Sequence, residues 1–357
     1  MRYSVVIISF FVIIMMAACH HNNDDFKCAT EHLIGKVFDD ERIGNGFVGI
    51  KSDTLWMSNY GQGDDVLLGF CINNDSLSFL GGGLNYGRGP GEYANIIGHI
   101  IDDSSISLLS YKGGNLGRID FFPGKGSVLE KGIPEQSYDL TWINSMFVGD
   151  FTEVGRDSII VVGSPLDNTP TILSCIDLKN KNVGSIQFWP GEYLTNYSLA
   201  DKVILMNNTK LYYNKNKHKL LYVCGEGRLV WILDYYDNQV KGVKEIYSLM
   251  PKYTKDPQGL NFIIQRDNER GLKSFVTKKY IYLVRNGIFN FRSDEKEYPF
   301  YYRNEIEVFD WNGEITLKYI MDKPFSDFVV SSDDTTIYTL SQDVNTKEPQ
   351  VVVYRLK

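Results

Sequence analysis

Six short apolar runs punctuate the chain, at 55–57, 106–109, 159–162, 220–223, 281–284 and 337–340. Their first residues lie 51, 53, 61, 61 and 56 positions apart, and turn-forming residues follow each run. One supersecondary unit repeated at such a period reads as the blades of a propeller. Alternating patterns on either side of each run predict four strands per unit. Blade one is expected at 47–50, 54–58, 67–72 and 76–80, and blade two at 97–101, 106–111, 117–122 and 127–131. Blade three is expected at 145–151, 158–163, 171–177 and 184–189, and blade four at 210–214, 219–224, 229–235 and 243–249. Blade five follows at 273–277, 280–285, 305–311 and 315–321. Blade six shows only three strands, at 327–331, 336–341 and 350–356.

The lone apolar run at 33–38 has no partner in its own unit. Laid along the outside of blade six it closes the ring and removes an exposed sheet edge. The expected fold is therefore all-β, a six-bladed β-propeller closed by an N-terminal strand that completes the last blade. The chain ends should then lie close together. No long 3.6-residue apolar period follows the N-terminal segment, so 33–357 reads as one domain.

Composition refines this picture in two places. Aromatic residues make up 13% of the chain, with 23 Tyr and 20 Phe, which suits strands. A net charge of −7 argues against nucleic acid as a partner, since that requires a basic face.

The N-terminus is a separate signal. Arg2 precedes an apolar stretch from Val5, and the small residues Ala17 and Ala18 lead to Cys19. Residues 1–18 read as a signal peptide, too short to span a bilayer. Met16-Ala17-Ala18-Cys19 resembles the bacterial lipobox. That resemblance implies lipidation of Cys19 and a protein exported and anchored at the outer membrane, facing either the periplasm or the surface. Residues 19–32, which include His20-His21 and two aspartates, read as a polar tether. Two adjacent histidines make a poor metal site on their own, and no metal or other cofactor is expected. Cys28, Cys71, Cys175 and Cys224 lack metal or redox spacing, so they are expected as free, buried thiols.

Gly87-Arg88-Gly89-Pro90-Gly91-Glu92-Tyr93 joins blades one and two, and Pro190-Gly191-Glu192-Tyr193 echoes it between blades three and four. Pro134-Glu135 looks like a looser copy in the connection from blade two to blade three. The first segment is similar to the G-x-G-P-G-E-F/Y signature of TolB-like and NHL-like six-bladed β-propeller lipoproteins of Bacteroidetes. The resemblance implies the same fold and export, and carries no assigned chemistry. Two readings of the motif stand side by side. In one, Pro and Gly make the crossing between blades, Glu caps amides and Tyr wedges between blades. In the other, Glu92, Glu192 and Arg88 line a polar pocket near the central opening, with Tyr93 and Tyr193 as further candidate binding residues.

Two long connections, 250–272 and 286–304, are expected on one face around blade five. The first and its flank carry cations including Arg266 and Arg270, and the second carries Phe289, Phe291, Tyr298, Tyr301 and Tyr302. Aromatics beside cations suit a protein or glycan partner, while packing of the loops onto their own blade would use the same residues. The function expected is binding or scaffolding without intrinsic catalysis. The alternative is a lactonase- or lyase-like propeller enzyme with an axial polar site, although no nucleophile elbow or convergent His and carboxylate pattern supports it.

Overall fold

The structure is a computed structural model. It describes residues 28–38, 42–51, 53–59, 63–73, 76–87, 92–93, 96–101, 105–112, 115–123, 134–143, 146–155, 157–165, 169–190, 199–255, 262–265, 271–285 and 303–357. Two strands lead in, β1 (Ala29–Leu33) and β2 (Lys36–Phe38). Blade one is β3 (Gly46–Lys51), β4 (Thr54–Ser58), β5 (Asp65–Asn73) and β6 (Ser76–Asn85). Blade two is β7 (Ile96–Ile101), β8 (Ser105–Lys112), β9 (Asn115–Pro123) and β10 (Gln136–Asp139). Blade three is β11 (Met146–Gly155), β12 (Ser158–Pro165), β13 (Leu173–Asp177) and β14 (Asn182–Ile186). Helix α1 (Leu199–Met206) precedes blade four, which is β15 (Thr209–Asn214), β16 (Lys219–Cys224), β17 (Arg228–Tyr236) and β18 (Gln239–Leu249). A hairpin of β19 (Lys252–Lys255) and β20 (Phe262–Gln265) follows. Blade five is β21 (Leu272–Val276), β22 (Tyr280–Arg285), β23 (Arg303–Asp310) and β24 (Ile315–Phe325). Blade six is β25 (Asp327–Val330), β26 (Thr336–Gln342) and β27 (Pro349–Arg355), with β2 outermost.

The six apolar runs are the second strands of the blades, and the packing shows why they are continuous. Each lies between two neighbouring blades, so both of its faces are buried. In β16, Leu220, Tyr222 and Cys224 pack toward blade three, while Leu221 and Val223 pack toward blade five. In β22, Ile281 and Leu283 face blade four, and Tyr282 and Val284 face blade six. Alternation sends successive side chains to opposite interfaces. The apolar clusters accordingly fall one to each blade interface.

Ring closure follows the expectation, with one refinement. β2 pairs antiparallel with β27 and completes blade six. Pairing begins earlier, however, inside the segment expected to be a tether: β1 pairs in parallel with β24, outside blade five. Residues 29–38 thus cross from one blade to the next as a strap. Between its two halves the Gly35 N–H donates to Asp322 Oδ1 at 3.1 Å. A Cβ at Gly35 would lie 2.4 Å from Val352 and 2.7 Å from Tyr354, so only glycine lets the strap lie this close to blade six.

Other expectations are corrected. The outer strand of blade two is β10, not 127–131, which lies outside the described residues. Pro134-Glu135 therefore precedes an outer strand instead of joining two blades. The connection at 250–272 is not loop throughout, because it contains the β19–β20 hairpin. Helix α1 was not foreseen, since eight residues are too few to display a helical period. All four described cysteines are free thiols, but only Cys224 is fully buried. Burial pushes its thiol up to about 11.

Candidate functional site

The first strands of blades one, three, four, five and six line a cavity of about 1320 Å³ at the ring axis. Its walls include Phe47, Phe151, Leu211, Phe275 and Phe328, so much of the surface is apolar. Set among them are two carboxylate–lysine pairs. Asp150 is buried, and its Oδ2 accepts the Leu211 N–H at 2.9 Å. Lys210 Nζ lies 3.8 Å from Asp150 Oδ1. Asp327 Oδ2 accepts the Phe47 N–H at 2.8 Å, and Lys273 Nζ donates to its Oδ1 at 3.2 Å. Each carboxylate thus latches its own blade to the first strand of the next, from three to four and from six to one.

Local backbone aims Asp150. A bulge in β11 falls between Val148 and Asp150. A Cβ at the intervening Gly149 would lie 1.7 Å from the Met206 carbonyl oxygen, so glycine is required where the bulge meets the end of α1. Burial pushes the Asp150 carboxyl above the usual carboxylate range, and Lys210 and the Leu211 N–H pull it back down. Further bonds bind the inner strands together. Tyr212 donates its hydroxyl to the Ser274 carbonyl at 2.7 Å, and Asn214 Nδ2 donates to the Lys278 carbonyl at 3.0 Å. Ser107 donates to Glu153 between blades two and three. This arrangement makes a cup braced across its blades, with the partly exposed rings of Phe47 and Phe275 and the exposed Lys215 and Lys278 set beside the paired groups.

Of the residues singled out in the glycine-rich motif and its echo, Glu92 and Tyr93 are described, and neither lines the axial cavity. Tyr93 is buried at the interface of blades one and two, against Trp56, Leu67, Leu108 and Phe122. It donates its hydroxyl to Asp120 Oδ2 at 2.8 Å. Arg118 covers its ring at 4.9 Å and binds the same carboxylate, whose other oxygen accepts from Ser137 at 2.5 Å. Tyr93 is thus the wedge between blades. Desolvation, then the Asp120 charge, drives its phenol well above the usual range. Glu92 is exposed and curls over Gly87, where a Cβ would meet its Oε2 at 2.0 Å. Cys19, Arg88, Glu192, Tyr193, Arg266, Arg270, Phe289, Phe291, Tyr298, Tyr301 and Tyr302 lie outside the described residues.

The axial pairs were missed as site residues, although a signal for three of them was present. Lys210, Lys273 and Asp327 each open a predicted first strand, a charged residue where an apolar one would be the default. Among the described residues no three His, Cys, Asp or Glu side chains come together as a metal-ligand group.

Residues 186–333 match a family model described as TolB-like, 6-blade propeller-like. No curated protein matches the chain. Among solved structures, a DUF4221 family member from Bacteroides vulgatus superposes with a TM-score of 0.54 at 13% identity, covering 92% of this chain and 96% of that one. A protein from Bacteroides fragilis described as exported superposes with a TM-score of 0.53 at 10% identity, covering 92% and 99%. At such identities the likeness is one of fold. Sheet order and ring closure make the protein an all-β six-bladed propeller, and the match over 186–333 makes that part of the chain similar to TolB-like propellers.

Proposed function

We propose that the protein is an exported propeller, lipid-anchored through Cys19, that binds a protein or glycan partner and has no catalysis of its own. The observation that carries this reading is the axial cup. Its carboxylates are committed to backbone N–H groups and lysines of the next blade or the one before, a use that favours holding a shape over moving protons. The N-terminal signal pattern supports export, and the related fold from Bacteroides fragilis is itself described as exported.

The face that carries the connections from one blade to the next supports a docking role. Helix α1 and the β19–β20 hairpin both lie there, and Tyr253 donates to Asp201 at 2.6 Å to tie them together. Leu199 and Ile263 leave large apolar surfaces exposed on these two elements. β22 ends and β23 begins on the same face.

Photo-crosslinking residues placed at Tyr212 in the cup and at Ile263 on the hairpin test the proposal. A defined protein or glycan captured from Ile263, and lost when 286–304 is deleted from a folded protein, is the expected result. Capture of a small molecule from Tyr212 alone moves the function to the cup. Turnover of a lactone or glycan that is abolished by a chelator overturns the non-catalytic reading.

A further inference from the structure

The strap fixes which face the N-terminus leaves from. β1 runs parallel to β24, with Ala29 opposite Leu317, so the chain enters at the end of blade five that carries the turns at 277–279 and 311–314. This is the opposite face from α1 and the hairpin. Cys19 lies nine residues before Cys28, the first described residue, and nine residues reach at most about 32 Å. If Cys19 is lipidated, this face or its rim is held close to the bilayer.

The same face is basic where the chain enters. The turn from β15 to β16 exposes Lys215 and Lys217, and the turn from β21 to β22 exposes Lys278 and Lys279. Asn214 clamps the two turns side by side, its Nδ2 donating to the Lys278 carbonyl and its Oδ1 accepting the Lys217 N–H at 3.2 Å. Nearby carboxylates are largely engaged. Asp234 pairs with Lys219 at 3.3 Å, Glu314 pairs with Lys244 at 3.1 Å, and Asp310 caps its own turn through the N–H groups of Asn312 and Glu314. Blade six presents Asp333 and Asp334 at the same end and the β17–β18 turn presents Asp237, so the positive charge is concentrated on the first turns of blades four and five. The chain as a whole carries −7.

We infer that the lysine turns of blades four and five form a second membrane contact, resting on anionic lipid headgroups and holding the ring with its opposite face outward. The inference rests on the lipid-anchor reading for its geometry. Basic residues near an anionic leaflet are attracted within a Debye length, and an acyl anchor combined with a basic patch binds more stably than either alone. The contact leaves α1 and the hairpin facing away from the bilayer.

The test uses the full chain expressed with its signal and recovered from membranes. Intact mass reports acylation of Cys19 and judges the anchor independently. The protein is then placed in vesicles of phosphatidylcholine, with or without phosphatidylglycerol, and labelled with an amine reagent. Labelling of Lys215, Lys217, Lys278 and Lys279 should fall severalfold in the anionic vesicles and return in high salt, while Lys252 on the far face stays constant. The variant K215Q/K217Q/K278Q/K279Q should lose preference for anionic vesicles more than tenfold, and K252Q/K255Q should retain it. Equal labelling of the four lysines in both vesicle types, or protection of Lys252 in their place, overturns the contact while leaving an acylated anchor intact. An unacylated chain that still floats with anionic vesicles, and fails to when the four lysines are replaced, overturns the anchor and sustains the contact.

Discussion

At the scale of single residues, buried polar groups hold this ring together by reaching across blade boundaries. Tyr93 is the clearest case, because its ring fills an apolar interface and its hydroxyl helps satisfy the buried Asp120. Tyr93→Phe keeps the ring and removes one bond to a charged acceptor, and urea unfolding should show a loss of about 1–3 kcal/mol. Asp150 makes a pH prediction. Its folded value is raised above 3.8, so its contribution to stability is fully present below that value and is lost as pH rises through the folded value. Stability of wild type relative to Asp150→Asn should therefore be flat in acid and then shift in favour of Asn as pH rises. A difference that stays constant with pH across that range would refute the burial-driven shift. Asp177, Asp333 and Asp343, at strand ends and turns, have lowered values, and they act in the opposite sense, with stability lost as pH falls.

Among the elements, the second strands were the most legible and the outer strands the least. A strand such as β12, buried on both faces between blades, must be apolar at every position, and four consecutive Ile and Val residues announce it. An outer strand such as β10 alternates between half-buried and exposed and carries no such run, which is how 127–131 came to be preferred. The strap at 29–38 was legible as a spare strand, but its division between two blades was not. Two substitutions probe it. Leu33→Ala removes a side chain that is 7% exposed between blades five and six, and should cost about 2–4 kcal/mol. Gly35→Ala forces a Cβ against Val352 and Tyr354 and should cost about 1–3 kcal/mol by overpacking. Thermal melts read both, and a variant that melts like wild type would mean the strap is not bound as described.

For the molecule as a whole, closure couples the first described residues to the last blade. With β2 paired to β27 and β1 to β24, the ends of the ring are joined by backbone bonds, and neither outer edge of blades five and six is left bare at those positions. Loss of the strap should therefore loosen every blade interface. Removal of 29–35 should lower the denaturant midpoint measured by tryptophan fluorescence and by circular dichroism alike. If only a local probe near blade six responded, the ring would be closed by side-chain packing without help from the strap. The two faces also differ in kind, with the exposed Leu199 and Ile263 on one and lysine turns on the other.

The sequence by itself determined the number of blades, the place of nearly every strand and the need for an added strand at closure. These follow from local periodicity, because a strand buried on two faces must be apolar throughout and a turn must be polar. It also carries the linear patterns from which an export signal and lipidation at Cys19 are proposed. Only the tertiary structure decided that Tyr93 is a wedge and not a ligand group, that Asp150 and Asp327 latch blades around the axis, and that the lysines at 215, 217, 278 and 279 stand side by side. Those facts depend on residues tens or hundreds of positions apart being brought into contact. No periodicity within a single strand records which blade will lie beside it.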